Sequence, residues 1–172
     1  MEQLLTLIRD VPNFPKPGVV FKDITPLLAD PPGLALAVEL MANPFRGKKV
    51  DLVIGAESRG FIFGIAVAQA LAAGFIPVRK PGKLPRPTHG FEYALEYGAD
   101  RLEIHQDAIK PGQRVVVVDD LIATGGTLGA CLDMVTHLGG VLVGVTVLIE
   151  LTALDGRAAL PDPSLLHAVL RL

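Results

Sequence analysis

Residues 115–127 read VVVVDDLIATGGT, and this stretch decides the fold. Its four β-branched valines predict a strand that is buried on both faces. Two acids, Asp119 and Asp120, follow the valines directly, and a Thr-Gly-Gly-Thr loop then leads into an apolar segment with helical spacing. We therefore predict a buried strand over 114–118 that ends in the two acids, and a helix over 127–138 after the Thr-Gly-Gly-Thr loop.

The same strand–loop–helix order recurs along the chain. Apolar runs predict further strands at 50–55, 75–79 and 141–149. Helices are predicted at 3–9, from the Asp30–Pro31 start signal to Gly47, and at 60–73. Alternating strands and helices indicate a doubly wound α/β fold with a parallel sheet covered on both faces. Ligands of such sheets bind beyond the carboxyl ends of the strands, here Gly55, Arg79 and Asp119.

Composition narrows the class of protein. The chain has 172 residues, half of them hydrophobic, which suits one domain over 1–172 with a full core. Its formal net charge of −2 argues against a nucleic-acid partner. Neither a signal peptide nor an apolar run long enough for a membrane span is found, and the single Cys131 suits a reducing compartment. We therefore expect a cytoplasmic protein without a membrane partner.

Two regions depart from the strand–helix alternation. In residues 1–30, a Pro-rich loop at 14–18 is followed by an extended piece at 19–24. In residues 80–105, a loop with three Lys or Arg residues precedes an alternating hairpin around Gly98. The last 20 residues are predicted to form a short helix and a closing strand.

The loop after the acids has the composition of a phosphate site. Glycines permit close backbone approach, and the N–H groups and dipole at a helix start attract anions. The loop comprises Ala123, Thr124, Gly125, Gly126 and Thr127. No lysine follows the glycines, so this is not a P-loop. Two acids beside an anion site are explained by a ribose 5-phosphate whose hydroxyls face Asp119 and Asp120; the alternative is a capped turn with two solvated acids.

Residues 115–127 closely resemble the phosphoribosyl pyrophosphate motif of type I phosphoribosyltransferases. Other segments are similar to adenine phosphoribosyltransferases in particular: FPKPGVVFKDITP (14–26), GAESRGF (55–61), RKPGKLP (79–85), and LEYG (95–98) with LEI (102–104). The resemblance extends from about residue 10 to about residue 155. It implies the type I fold with a small N-terminal hood over 1–30 and a flexible loop over 80–105.

The resemblance also implies which residues bind pyrophosphate. They are Ser58, Arg59, Arg79, Lys80 and Lys83, and Arg59 is further implied to act in catalysis. Taken alone, the first loop could be an ordinary turn with a surface Arg, and the second a solvated basic loop. Pro81 departs from the pattern, because many relatives carry a basic residue there; Lys83 and Arg86 are the candidate substitutes.

Recognition of the base is implied for the hood. Backbone groups of Val20 and Lys22 would read the edge of adenine, while Phe21 would stack on one face of the ring with Leu121 opposite. Lys22 replaces the commoner Arg, which matters little for backbone contacts. Glu96 matches the loop acid that would exchange a proton with the base as a general acid or base. The competing interpretations are a buried Phe and an exposed hairpin acid.

The implied reaction converts adenine and phosphoribosyl pyrophosphate to AMP and pyrophosphate, with Mg²⁺ bound through substrate oxygens and water, in a homodimer that serves purine salvage. Another base (xanthine, hypoxanthine, guanine or orotate) is the nearest alternative. A DNA-binding sensor of phosphoribosyl pyrophosphate would need an added module, for which the match beginning near residue 10 leaves no expected room. A sugar-phosphate synthase of this fold would need an ATP site that the sequence does not show.

Overall fold

The computed structural model describes residues 1–94 and 99–172, except for the side chains of Ala94 and Ala99. The strands are β1 (Arg9–Pro12), β2 (Val20–Asp23), β3 (Leu52–Ala56), β4 (Gly74–Val78), β5 (Thr88–Ala94), β6 (Ala99–His105), β7 (Arg114–Ile122), β8 (Val141–Glu150) and β9 (Leu166–Arg171). The α-helices are α1 (Glu2–Leu5), α2 (Thr25–Ala29), α3 (Pro31–Ala42), α4 (Arg59–Ala70) and α5 (Gly126–His137). Short 3-10 turns lie at Asn43–Phe45, Thr152–Leu154 and Pro163–Leu165.

The centre of the molecule is a five-stranded parallel sheet in the order β4-β3-β7-β8-β9. In β7 the valines alternate between two apolar layers: Val116 and Val118 pack with α3 and α4, and Val115 and Val117 pack with α5 and the β5–β6 hairpin. Each fully buried valine contributes about 1.5–3 kcal/mol of transfer free energy. The predicted parallel sheet with both faces covered is thus confirmed.

Strand β7 is longer than predicted. It continues through Asp119 and Asp120 to Ile122, because β8 pairs with it as far as Ile122 opposite Glu150. The predicted strand over 114–118 is therefore four residues too short at its carboxyl end. The consequence is functional, since a hydrogen-bonded ladder fixes the two carboxylates more rigidly than a loop would.

The N-terminal hood contains a strand that the sequence pattern did not predict. The chain forms helix only over α1 and then strand β1, which pairs antiparallel with β2 and places Val11 opposite Phe21. The predicted helix over 3–9 is confirmed only as far as Leu5, and its last residue, Arg9, pairs instead with Asp23 in the β1–β2 ladder. Similarly, the region before β9 holds 3-10 turns rather than an α-helix.

The β5–β6 hairpin packs against α5 and joins the sheet edge through mutual backbone hydrogen bonds between Arg79 and Glu103. The predicted antiparallel pairing of the two alternating segments is thus confirmed for β5 and β6. Residues 95–98, which include Glu96, lie outside the described residues. Within the described ranges, none of the helices is long and apolar enough to cross a membrane.

Candidate active site

An open cavity of about 220 Å³ lies where the carboxyl ends of β3 and β7 meet. It is lined by residues 57–59 on one side and by residues 119–128 on the other. The structure therefore brings together two segments that were singled out separately in the sequence. Because both follow parallel strands, their helices α4 and α5 point their N-termini toward the same space.

Two carboxylates form the floor of this cavity. Asp119 is 9% exposed and Asp120 only 4%, and the backbone N–H of Asp120 donates to Oδ1 of Asp119 at 2.8 Å. Arg59 Nε lies 3.2 Å from Oδ2 of Asp120. Burial raises the pKa of Asp119 well above its usual value, and the neighbouring Asp120 charge adds to the effect. Burial also raises the pKa of Asp120, although Arg59 opposes the shift.

The position of Arg59 depends on two glycines, Gly55 and Gly60, that let the start of α4 approach the ends of β3 and β7 closely. A Cβ on Gly60 would lie 3.0 Å from Oδ1 of Asp119 and 3.1 Å from the Val118 carbonyl oxygen. A Cβ on Gly55 would lie only 2.6 Å from the Gly60 carbonyl oxygen. Helix α4 therefore begins directly against the acids, which brings the Arg59 side chain within reach of Asp120.

The Gly-rich loop of residues 123–127, called the phosphate loop below, forms the other side of the cavity. Gly125 has φ +87° at the N-cap of α5, a conformation that favours glycine. The first-turn N–H groups of α5 have no carbonyl partner within the helix, and Thr124 is exposed while Thr127 is partly buried. All five predicted residues of this loop line the cavity, so the arrangement can bind an anion through backbone N–H groups and hydroxyls.

The basic residues after β4 are held by carboxylates. Arg79 Nε donates to Oε2 of Glu57 at 3.0 Å, and the backbone N–H of Lys80 donates to the same oxygen at 2.9 Å. The Lys80 ammonium donates to Asp100 at 2.9 Å, and Arg79 donates to the carbonyl of Lys83 at 3.3 Å. Glu57 thus holds Arg79 and Lys80 close to the side of the cavity that residues 57–59 form, although neither basic residue lines the cavity.

Arg86 contributes differently from its suggested role as a substitute for the missing charge at Pro81. Its guanidinium forms an ion pair with Asp107 on the exposed surface. Lys83 is exposed in the same basic loop. Lys83, the other candidate to replace the missing charge at Pro81, is tied to Arg79 through its backbone carbonyl.

Phe21 of the hood lies against Arg59, which lines the cavity, although Phe21 itself is not part of the lining. The Arg59 guanidinium lies over the Phe21 ring at 5.0 Å, and Phe14 packs edge-on against the same ring at 5.1 Å. Leu121 lines the cavity directly. Lys22 is turned toward Asp10 at 2.7 Å, so its ammonium supports the β1–β2 pair, which leaves its backbone as the group available for recognition.

Comparison with known proteins then identifies the family. The family model described as the phosphoribosyl transferase domain matches residues 24–163. The chain belongs to the phosphoribosyltransferase family. A curated relative from Rhodopirellula baltica, named adenine phosphoribosyltransferase, is 56% identical over 163 residues, which cover 95% of this chain and 79% of the relative.

Solved structures of family members agree with the fold. The adenine phosphoribosyltransferase of Rhodothermus marinus superposes with a TM-score of 0.95 at 53% identity and covers 99% of this chain and 97% of its own. The Saccharomyces cerevisiae enzyme, complexed with an imino-altritol bisphosphate and adenine, gives 0.90 at 39% identity, with 98% and 97% covered. These similarities confirm the phosphoribosyltransferase fold expected from the sequence motifs.

Several site residues in this family member carry no signal in the sequence pattern alone. Glu57 falls inside the quoted 55–61 segment but its role as acceptor for Arg79 depends on a neighbouring strand. The Tyr93 hydroxyl on β5 donates to Asp100 at 3.3 Å. Burial raises the pKa of Tyr93. Asp100 also binds Lys80, so the β5–β6 hairpin helps to hold the basic loop after β4.

His89, His137 and Cys131 lie outside the lining of the cavity. The His89 and His137 rings contact each other at 4.6 Å, away from the cavity lining. Burial raises the pKa of Cys131 further above its ordinary value, which suits a core residue. Across residues 1–94 and 99–172, no group of three or more His, Cys, Asp or Glu side chains is arranged to hold a metal ion.

Proposed function

We propose that the protein transfers a 5-phosphoribosyl group from phosphoribosyl pyrophosphate to adenine, forming AMP and pyrophosphate in purine salvage. The observation that carries the proposal is the buried Asp119–Asp120 pair, flanked by an anion-binding loop on one side and by Arg59 on the other. In this proposal residues 1–172 act as one catalytic domain.

The phosphoribosyl group has complementary partners on both sides of β7's end. Its 5-phosphate binds the 123–127 loop through N–H groups, the Thr124 and Thr127 hydroxyls, and the α5 dipole. Its 2′- and 3′-hydroxyls donate to Asp119 and Asp120. This pairing explains why two buried acids stand beside an anion site, because hydroxyl donors offset part of their desolvation.

Pyrophosphate binds on the opposite side of the cavity. Ser58, Arg59, Arg79, Lys80 and Lys83 supply donors and positive charge for it. Arg59 and Lys80 contact carboxylates, so the departing anion competes with Asp120 and Asp100 for these cations. Their charge stabilises the negative charge that develops on the leaving group, which lowers the barrier to cleavage.

Mg²⁺ fits this site only as a substrate-bound ion. The described residues offer two adjacent carboxylates but no third ligand, so substrate oxygens and water supply most of the coordination, with Asp119 and Asp120 reached through water. When bound, the ion neutralises part of the pyrophosphate charge. A dependence of activity on Mg²⁺ is expected for this reason.

Adenine binds between the hood and β7. Backbone groups of Val20 and Lys22 read its edge, and the ring stacks between Phe21 and Leu121. Support comes from the position of Phe21 beside Arg59, from the name of the Rhodopirellula relative and from the adenine-bound yeast enzyme. Arg59 lies over Phe21, so it must shift when the base stacks there.

The reaction consists of one bond exchange. The bond from C1 of the ribose to pyrophosphate breaks with its electron pair going to pyrophosphate, and a ring nitrogen of adenine bonds to C1. The proton on that nitrogen leaves to a base, and we assign this role to Glu96. Arg59 stabilises the leaving group, while the cavity holds both substrates in line.

We further propose a cytoplasmic homodimer. Helix α4 carries two exposed isoleucines about one turn apart, Ile62 and Ile65, which lie three and six residues after Arg59 on the same helix. A second copy that covers them would bring its surface close to the pyrophosphate side of the site. Light scattering on purified protein tests the dimer: a mass of about 18 kDa would contradict it.

The function is tested with a panel of bases. Purified protein is incubated with Mg²⁺, phosphoribosyl pyrophosphate and adenine, hypoxanthine, guanine, xanthine or orotate in separate reactions, and nucleotide formation is followed. AMP from adenine alone is expected. Product from another base only would refute the hood assignment, and binding without product from any base would favour the sensor.

A further inference from the structure

A loop outside the cavity lies directly beneath the phosphate loop. Residues 155–160, here called the support loop, follow β8 and a 3-10 turn. Gly156 in this loop is buried, and a Cβ there would collide with the Ala123 carbonyl oxygen and lie 2.9 Å from the Gly125 backbone nitrogen. Conversely, a Cβ on Gly125 would lie 2.6 Å from the Gly156 carbonyl oxygen. Backbone therefore packs on backbone at this point.

The support loop has its own anchor in Arg157. Its guanidinium binds both oxygens of Glu150, with Nε to Oε1 at 2.8 Å and Nη2 to Oε2 at 2.6 Å. The remaining terminal nitrogen, Nη1, donates to the carbonyls of Pro163 at 3.0 Å and Leu166 at 2.8 Å. One side chain thus ties the support loop to β8 and to the start of β9.

Glu150 is well placed to act as the fixed end of this anchor. It is the last residue of β8, pairs with Ile122 of β7 and has a side chain only 5% exposed. Arg157 lowers the pKa of this carboxyl, so the pair is charged at neutral pH. Ile122 directly precedes the 123–127 loop. Glu150 therefore links the support loop, through Arg157, to the part of the sheet from which the 123–127 loop begins.

We infer that Arg157 is a positioning residue for phosphoribosyl binding: its bidentate pair with Glu150 holds Gly156 against Ala123 and Gly125 and thereby places the N–H groups that bind the 5-phosphate. The inference rests on the proposed assignment of the phosphate to residues 123–127. Arg157 lies outside the cavity lining, so its effect passes through the backbone contact at Gly156.

The chain provides a matched control. Arg171 also binds Glu150, with Nε 3.3 Å from Oε2, but its side chain is 64% exposed and its ion pair lies on β9 rather than in the support loop. Arg157→Met and Arg171→Met remove the same chemical group from the same carboxylate. Only the first releases the support loop.

Calorimetric titration with two probes tests the inference. Ribose 5-phosphate occupies the phosphate-loop side and Mg²⁺-pyrophosphate the Arg59 side. Arg157→Met is expected to weaken ribose 5-phosphate binding by about ten- to hundredfold, because small displacements of binding groups have effects of this size. Pyrophosphate binding should stay within about twofold of wild type, as should both affinities in Arg171→Met. The KM for phosphoribosyl pyrophosphate should rise in parallel for Arg157→Met.

Two further variants separate positioning from general destabilisation. Gly156→Ala leaves the ion pair but forces the backbones apart, so it should show the same selective loss. Arg157→Lys retains the charge without the bidentate geometry and should recover only part of the affinity. Thermal unfolding establishes that each protein is folded at the titration temperature.

Ribose 5-phosphate affinity equal to wild type in folded Arg157→Met would overturn the inference, as would equal loss of both ligands. Wild-type protein that binds ribose 5-phosphate without making AMP would instead refute the proposed reaction and leave the positioning role standing. Wild-type protein that binds no ribose 5-phosphate would refute both.

Discussion

Replacement of Asp119 by Asn should raise stability and lower activity at the same time. Asp119 and Asp120 are consecutive buried carboxylates, and the Arg59 guanidinium contacts Asp120 rather than Asp119. The charge of Asp119 is therefore poorly compensated, which is why burial raises its pKa well above the ordinary 3.8. Asn is nearly isosteric, and its Oδ1 can still accept the Asp120 N–H.

The sign and size of the change in unfolding free energy follow from the linkage between proton binding and folding. A carboxyl whose pKa is raised by folding destabilises the folded state as the pH rises through its folded pKa, because the fold disfavours ionisation. Asp119→Asn lacks this loss, so its advantage should be smallest near pH 4 and should grow to about 0.5–2 kcal/mol at high pH. Substrate hydroxyls bind a charged acceptor about 1–2 kcal/mol better than a neutral one. The variant's kcat/KM should therefore fall by about tenfold or more.

Urea unfolding from pH 4 to pH 9, paired with initial rates of AMP formation, checks both parts. Asp133→Asn is the matched control, because Asp133 lies on the exposed face of α5 and its replacement changes the net charge by the same amount. The control should show neither effect. A less stable Asp119→Asn protein at high pH, or one with wild-type kcat/KM, would refute this description of the acid pair.

Three further substitutions test other parts of the site. Glu57→Gln weakens the acceptor that holds Arg79 and should raise the KM for pyrophosphate in the reverse reaction about threefold to tenfold; an unchanged KM would argue against that role. Phe21→Ala should raise the KM for adenine at least about tenfold with little change in the KM for phosphoribosyl pyrophosphate, and equal changes in both would exclude a stacking role. Tyr93→Phe removes the hydroxyl that donates to Asp100, the carboxylate that binds Lys80, and should raise the KM for pyrophosphate in the reverse reaction about threefold, against no change if the contact is incidental.

The sheet and the phosphate loop could be predicted because their signals are local. Continuous valines in β7 and the Gly-Gly turn before α5 leave few alternatives for backbone conformation. The end of β7 could not be predicted in the same way. Aspartate is disfavoured in strands, and only pairing with β8 carries the strand past Asp119 and Asp120 to Ile122.

Other features escaped prediction because they depend on contacts distant in sequence. Strand β1 contains only four residues, all exposed, and exists through its pairing with β2. The acceptor role of Glu57 requires β4 to lie beside β3, so that Arg79 arrives 22 residues later. The contact between Gly156 and Gly125 likewise joins segments about 30 residues apart, and no periodicity in either segment indicates it.

The most direct test of the account is the product balance with adenine. Wild-type protein, Mg²⁺, phosphoribosyl pyrophosphate and adenine are combined, and AMP and pyrophosphate are quantified together, with a parallel reaction that lacks the base. The account predicts AMP and pyrophosphate in equal amounts and almost no pyrophosphate without adenine, because pyrophosphate departs efficiently only when a base nitrogen is held in line with C1 of the ribose. Pyrophosphate release without AMP, or no product in either reaction, would contradict it.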